Sequence, residues 1–177
     1  MHTLDRGQSL LLVIDVQQRL MPAIDDGAAV IATVRRLLEA AALLEVPQLA
    51  TEQNPAGLGA TVASLPRGVP TLAKMSFDAC RAPGFLEQLP PQRRQLLLAG
   101  CEAHVCVLQT ALGLLQRGFQ VYVAADAVGS RSAASKAAAL ARLQRHGAEI
   151  VTAEMAVFEW LESAGHPRFR EAVALIK

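Results

Sequence analysis

Short, unbroken apolar runs alternate along the chain with stretches in which apolar residues recur every three or four positions. Leu10–Ile14 is such a run and predicts a strand buried on both faces. From about Ala28 to Leu44 the apolar positions Val30, Val34, Leu37 and Leu38 keep helical spacing, with Arg35, Arg36 and Glu39 on another face, and Pro47 closes the segment. Gln48–Thr51 predicts a second strand, followed by the turn cluster Asn54–Gly57. Thr71–Ala73 predicts a third. A helix near Gly84–Leu89 stops before Pro90 and Pro91. Gln95–Ala99 is the fourth strand, ending at Gly100; Val105–Gln116 is a helix ended by Arg117-Gly118. Val121–Ala125 is the fifth strand, Ser132–Gln144 an alanine-rich helix, Glu149–Thr152 a sixth strand, and the tail from Glu154 is helical.

Strand–helix alternation of this kind predicts an α/β fold of parallel strands, because parallel neighbours need long crossover connections. Right-handed crossovers place helices on both faces of the sheet. The length of 177 residues suits one domain, 1–177, and a chain of this size buries about 70% of its unfolded surface. A hydrophobic fraction of 52% against 19% charged residues excludes a disordered chain. With 17 Lys and Arg against 16 Asp and Glu there is no electrostatic footprint for nucleic acid or an anionic membrane. No apolar window reaches the roughly 20 residues of a transmembrane helix, and no targeting segment is read at the start. Three cysteines make no disulfide framework, which points to a reducing cytoplasm. The mean hydropathy of +0.28 fits some burial between subunits of a homo-oligomer.

In parallel α/β sheets ligands bind beyond the carboxyl ends of the strands, so the residues there carry the functional question. Strand one ends in Asp15, strand two runs into Thr51-Glu52-Gln53, strand three ends in Lys74, strand four in Gly100-Cys101-Glu102-Ala103-His104-Val105-Cys106, and strand five in Asp126. A carboxylate, an ammonium, a thiol and an imidazole thus share one rim. Cys106 falls in the first turn of a helix, where unpaired N–H groups and the helix dipole favour an anion and predict a lowered thiol pKa. The same N–H groups suit an oxyanion formed when a thiolate attacks a carbonyl. Asp15 reads as the general base and Lys74 as the cation that holds it. Each residue also has a plainer reading: Cys106 as a small core residue, Asp15 as a loop cap, Lys74 as a solvated surface group. Other chemistries lack their signals. No G-x-G-x-x-G follows strand one and no phosphate-binding loop occurs. Cys101, His104 and Cys106 match no common zinc spacing, and no C-x-x-C pair is present.

Taken together, these segments resemble the isochorismatase-like cysteine hydrolases. The matching pieces are Leu11–Gln17, Thr51–Gln53 with the Gly57-Leu-Gly59 turn, Lys74–Phe77, Gly100–Ala111 and Asp126–Arg131, in matching order and spacing. The resemblance implies a three-layer αβα sandwich with strand order 3-2-1-4-5-6 and a triad of Asp15, Lys74 and Cys106. It also implies a non-proline cis peptide at Cys101–Glu102 and an oxyanion hole formed by the N–H groups of Glu102 and Cys106. Gln17, Gln53, Phe77 and His104 become the expected neighbours of a small-molecule substrate, with no cofactor. Nicotinamidases of the family carry an Asp/His metal cluster, but this chain has no histidine between His2 and His104 to build one. Isochorismatases proper lack the cysteine found here. The resulting expectation is a hydrolase acting on an amide-like C–N bond through a thioester. Two rivals stay open: an oligomeric binding protein that keeps the fold without catalysis, and a thiol redox sensor using Cys101 and Cys106.

Overall fold

In the computed structural model, which describes residues 3–176, six parallel strands are ordered β3-β2-β1-β4-β5-β6. They are β1 (Ser9–Ile14), β2 (Gln48–Gln53), β3 (Thr71–Lys74), β4 (Gln95–Cys101), β5 (Gln120–Gly129) and β6 (Glu149–Val151). The two central strands, β1 and β4, are buried along their whole length, as their continuous apolar runs require. Strand order reverses between them, which opens the crevice where β1 and β4 end.

Two cores flank the sheet. On one face Leu11 and Val13 of β1 meet α1 (Gly27–Leu43), α5 (Ala153–Leu161) and α6 (Phe169–Ile176), with Trp160 fully buried among them. On the other, Leu10, Leu12 and Ile14 meet α3 (Leu108–Gln116) and α4 (Ala133–Arg145). The alternation along β1 divides the cores residue by residue. The remaining helix, α2 (Pro55–Leu58), is a single turn inside the expected turn cluster. Among the described residues no helix is long and apolar enough to cross a membrane.

The structure departs from the sequence expectation at three places. The helix expected near Gly84–Leu89 is only a 3-10 turn, Leu86–Gln88, with a second at Ala79–Arg81. Pro83, the left-handed Gly84 and the Pro90-Pro91 pair leave too few residues to nucleate an α-helix. The helical tail is two helices, α5 and α6, separated where Glu162 takes a φ of 58° and Pro167 follows. The third departure bears on function. β5 does not stop at Asp126 but continues to Gly129. Leu98 pairs with Val123 while Gly100 pairs with Val128, so β5 carries a bulge between these points. Alternation and turn signals in the sequence gave no hint of a strand resuming after it.

Candidate active site

Asp15 is the first residue beyond β1. Its backbone is left-handed, with φ 52°, a conformation that aspartate tolerates better than most side chains. The turn carries its carboxylate into the crevice, where it is fully buried. Lys74, the last residue of β3, reaches it with Nζ 2.7 Å from Oδ2, and neither side chain has exposed surface. A buried ion pair survives only when its remaining polar valences are satisfied. Here they are. Thr51 Oγ1 donates to Asp15 Oδ1 at 2.7 Å, and Lys74 Nζ donates a second bond to Gln53 Oε1 at 2.9 Å.

Gln17 and Gln53 form the scaffold behind this pair. The Gln53 N–H donates to Gln17 Oε1 at 2.9 Å, and Gln17 Nε2 donates to the carbonyls of Gln53 and Gly59 at 3.0 and 2.6 Å. Gln53 Nε2 donates to the Met75 carbonyl at 2.7 Å. Gln17, expected beside the substrate, has no exposed surface; it holds Gln53, which in turn orients the lysine.

The third element is the turn after β4. Strands β1 and β4 come together so closely that a Cβ on Gly100 would lie 2.0 Å from the Ile14 carbonyl oxygen, and Gly100 has φ 111°. Only glycine fits there. The Cys101–Glu102 peptide is cis, and the chain then winds through a π-helical turn, Ala103–Val107, before α3 begins. Single π-turns are often found at functional sites. Here it replaces the regular first helical turn expected from Val105. Cys106 lies within it, 5% exposed, close enough to the Asp15 carboxylate and the Lys74 ammonium for both charges to act on its thiol.

The environment of the thiol corrects the sequence expectation. A helix start predicted a lowered pKa. Burial instead pushes the Cys106 thiol up to about 12; the Asp15 carboxylate adds to the rise and the Lys74 ammonium opposes it. Desolvation is the largest cause, because the sulfur sits in the apolar layer with Ala103, Val107 and Ala111. Burial thus favours the neutral thiol over the thiolate beside the Asp15–Lys74 ion pair. The buried thiols of Cys80 and Cys101 are also raised to about 12, and all three cysteines are free.

The other expected neighbours are more scattered. Phe77 is half exposed, and its carbonyl accepts a 3.4 Å hydrogen bond from Thr110 Oγ1. His104 meets Ser130 Oγ through Nδ1 at 3.0 Å. Asp126 accepts from the Ala153 N–H at the start of α5, 2.8 Å away. A cleft of about 410 Å³ opens beside the end of β3, lined by Pro55, Lys74, Met75, Ser76 and Arg81 among others; Cys106 is not in its wall. Sequence reasoning gave no role to Thr51, Ser130 or Arg131, although all three lie inside the segments that carry the family resemblance.

The sequence profile of the isochorismatase domain matches residues 9–155. The chain belongs to the isochorismatase domain family. Isochorismatase domain-containing protein 2 of Homo sapiens is 41% identical over 174 residues, covering 97% of this chain and 84% of the human protein. A structure from Caenorhabditis elegans described as MAR1 ribonuclease superposes with a TM-score of 0.93 at 36% identity, covering 98% of this chain and 92% of that one. The Escherichia coli YcaC gene product, described as an octameric hydrolase of unknown specificity, has the same fold, with a TM-score of 0.88 at 24% identity and coverage of 99% and 88%. The six-stranded parallel sheet and its strand order are those of an isochorismatase-family hydrolase fold.

Proposed function

We propose that this isochorismatase-family chain is a cysteine hydrolase that cleaves an amide-like C–N bond of a small molecule through a thioester. The observation that carries the reading is the meeting of Asp15, Lys74 and Cys106, brought from the ends of three different strands into one buried corner. As the Cys106 sulfur bonds to the substrate carbonyl carbon, its proton passes to Asp15. The N–H groups of Glu102 and Cys106 stabilise the oxyanion. Asp15 returns the proton to the departing amine, then takes one from the water that attacks the thioester and hands it to the Cys106 sulfur as the S–C bond breaks. Lys74 holds Asp15 in place through its 2.7 Å contact until the sulfur attacks.

The upward push of burial on the thiol favours this order of events. A stable thiolate beside the Asp15 carboxylate would put a second negative charge in a desolvated corner. Proton transfer coupled to attack avoids it, because Asp15 is neutralised as charge moves onto the substrate. The surface of the chain, with a net charge of +1, offers no basic footprint for RNA, so a small molecule is the favoured substrate. We further propose that copies of the chain self-associate.

Intact-protein mass spectrometry after incubation with pooled amides, carbamoyl compounds and esters tests the reading. A mass increase equal to the acyl fragment, mapped to Cys106 and lost in Cys106→Ala with the fold retained, is the expected result. Absence of any adduct, or equal labelling of Cys80 and Cys106 by iodoacetamide, would favour the non-catalytic rival.

A further inference from the structure

The bulge in β5 has a local effect at the nucleophile turn. Because β5 resumes after it, Gly129 pairs with Cys101, and the next two residues lie over the turn that leads to Cys106. Each takes hold of a different residue of that turn. Ser130, 1% exposed, meets His104 Nδ1 with its hydroxyl at 3.0 Å, while its carbonyl accepts from the Asp25 N–H at 3.0 Å. The Arg131 backbone N–H and Nε both donate to Glu102 Oε2, each at 3.0 Å. The Glu102 side chain is 10% exposed while that of Arg131 is 63% exposed. An outward-pointing arginine is thus tied to an inward-pointing carboxylate. Water around the Arg131 guanidinium weakens the ionic part of the contact, so the pair's contribution to stability is modest for its geometry. Its partner residue, however, carries one of the two N–H groups assigned to the oxyanion hole.

We propose that Arg131, with Ser130, is a positioning device for the oxyanion hole: the Arg131–Glu102 clamp fixes the Glu102 peptide, and the Ser130–His104 contact fixes the turn that carries Cys106. This rests on the cysteine-hydrolase reading and deepens it. Neither residue touches the reacting atoms. The clamp aims the donors at the place where the carbonyl oxygen gains charge, and hydrogen-bond donors act there only when held in place beforehand.

Two reactions of the same sulfur separate this role from a purely structural one. Acyl transfer from p-nitrophenyl acetate forms an S–C bond and breaks the ester C–O bond; the thiol proton goes to Asp15, p-nitrophenolate leaves, and an oxyanion forms on the way. Alkylation by iodoacetamide forms an S–C bond, expels iodide and releases the thiol proton to solvent, without forming an oxyanion. Removing an oxyanion-hole donor lowers such rates by about 10²–10³. Loosening one without removing it should cost less. Arg131→Ala should therefore slow acylation of Cys106 about tenfold and leave its alkylation within about twofold of the parent rate. Glu102→Ala should slow acylation further, and Glu102→Gln, which keeps an acceptor for the Arg131 N–H, should recover part of it. Arg131 is mostly exposed, so its variant remains informative if Glu102→Ala fails to fold. Wild-type protein that acylates normally alongside an unimpaired Arg131→Ala variant would overturn the clamp alone. Parallel loss of acylation and alkylation would also overturn it, leaving a structural role. Wild-type protein that never acylates at Cys106 would overturn the cysteine-hydrolase reading, and the clamp with it.

Discussion

The two halves of the rim are built on opposite principles. The β1–β2–β3 half is a network of side chains: Asp15, Thr51, Gln53 and Lys74 satisfy one another through short hydrogen bonds, with Gln17 behind them. The β4–β5 half is shaped by backbone: a glycine with no room for a Cβ, a π-turn, and a bulge that brings Ser130 and Arg131 overhead. One half stores charge and the other supplies direction. A site of this kind should fail differently depending on which half is disturbed, and the following substitutions test that.

The largest effect belongs to the backbone half. At Gly100 any Cβ collides with the Ile14 main chain, where no side chain can yield, and the φ of 111° is unfavourable for other residues. Gly100→Ala should lose more than about 4 kcal/mol of stability or fail to fold, as strain between paired central strands cannot be relieved locally. Urea denaturation checks this, and a variant within about 1 kcal/mol of the parent would show that β1 and β4 can separate. Gly84→Ala, with open space around its Cβ position, serves as the control for positive φ alone.

The charge half should answer with a large stability cost and a divergence in reactivity. Lys74→Met leaves the Asp15 carboxylate buried without its cation and should cost about 3–5 kcal/mol. Adding Asp15→Asn removes the stranded charge, so the double variant should cost less than the sum of the single ones. The thiol responds with opposite signs. Asp15 raises its pKa and Lys74 lowers it from within the same corner. In the parent, alkylation of Cys106 should keep rising with pH toward about 12. Asp15→Asn should shift that profile to lower pH and speed alkylation at pH 8. Lys74→Met should shift it to higher pH. Acyl transfer should fall in both variants, because Asp15→Asn removes the proton acceptor even as it frees the sulfur. Faster acylation in Asp15→Asn would remove Asp15 from the base role.

This division also explains what the sequence disclosed. The strands, both layers of helices and the meeting of Asp15 with Lys74 were legible because they follow from apolar runs, helical spacing and strand ends. Cys106 could be placed on the rim, but not its ionisation: dipole reasoning sees the nearby backbone, whereas the raised pKa comes from long-range burial under α3 and from Asp15, 91 residues earlier in the chain. The extension of β5 was invisible because a bulge breaks the alternation on which strand reading depends. His104 was expected beside the substrate, and its partner Ser130 was not foreseen because the end of β5 that carries it was not read as strand. Gln17 looked like a substrate contact because polarity near a strand end is the same signal whether the side chain faces solvent or a neighbouring glutamine.

The finest test concerns Thr51, where the two principles meet. Its Oγ1 donates to the Asp15 oxygen that Lys74 leaves free, and its carbonyl accepts from the Asp15 N–H at 3.1 Å. β2 thus holds both the backbone and the side chain of the aspartate, and the hydroxyl fixes the rotation of the carboxylate. Thr51→Val keeps the shape and removes only that donor. A hydrogen bond to a charged group contributes about 1.5–3 kcal/mol, so stability should fall by about that much, less than for Lys74→Met. The carboxylate should then turn more freely about its lysine contact and accept the thiol proton less readily. Acylation of Cys106 should slow several-fold while alkylation changes little. Thr51→Ser restores the hydroxyl without the methyl group and should recover acylation. Failure of serine to restore it would mean that the methyl group, packed at 1% exposure, matters more than the hydrogen bond, and that the charge half also depends on shape.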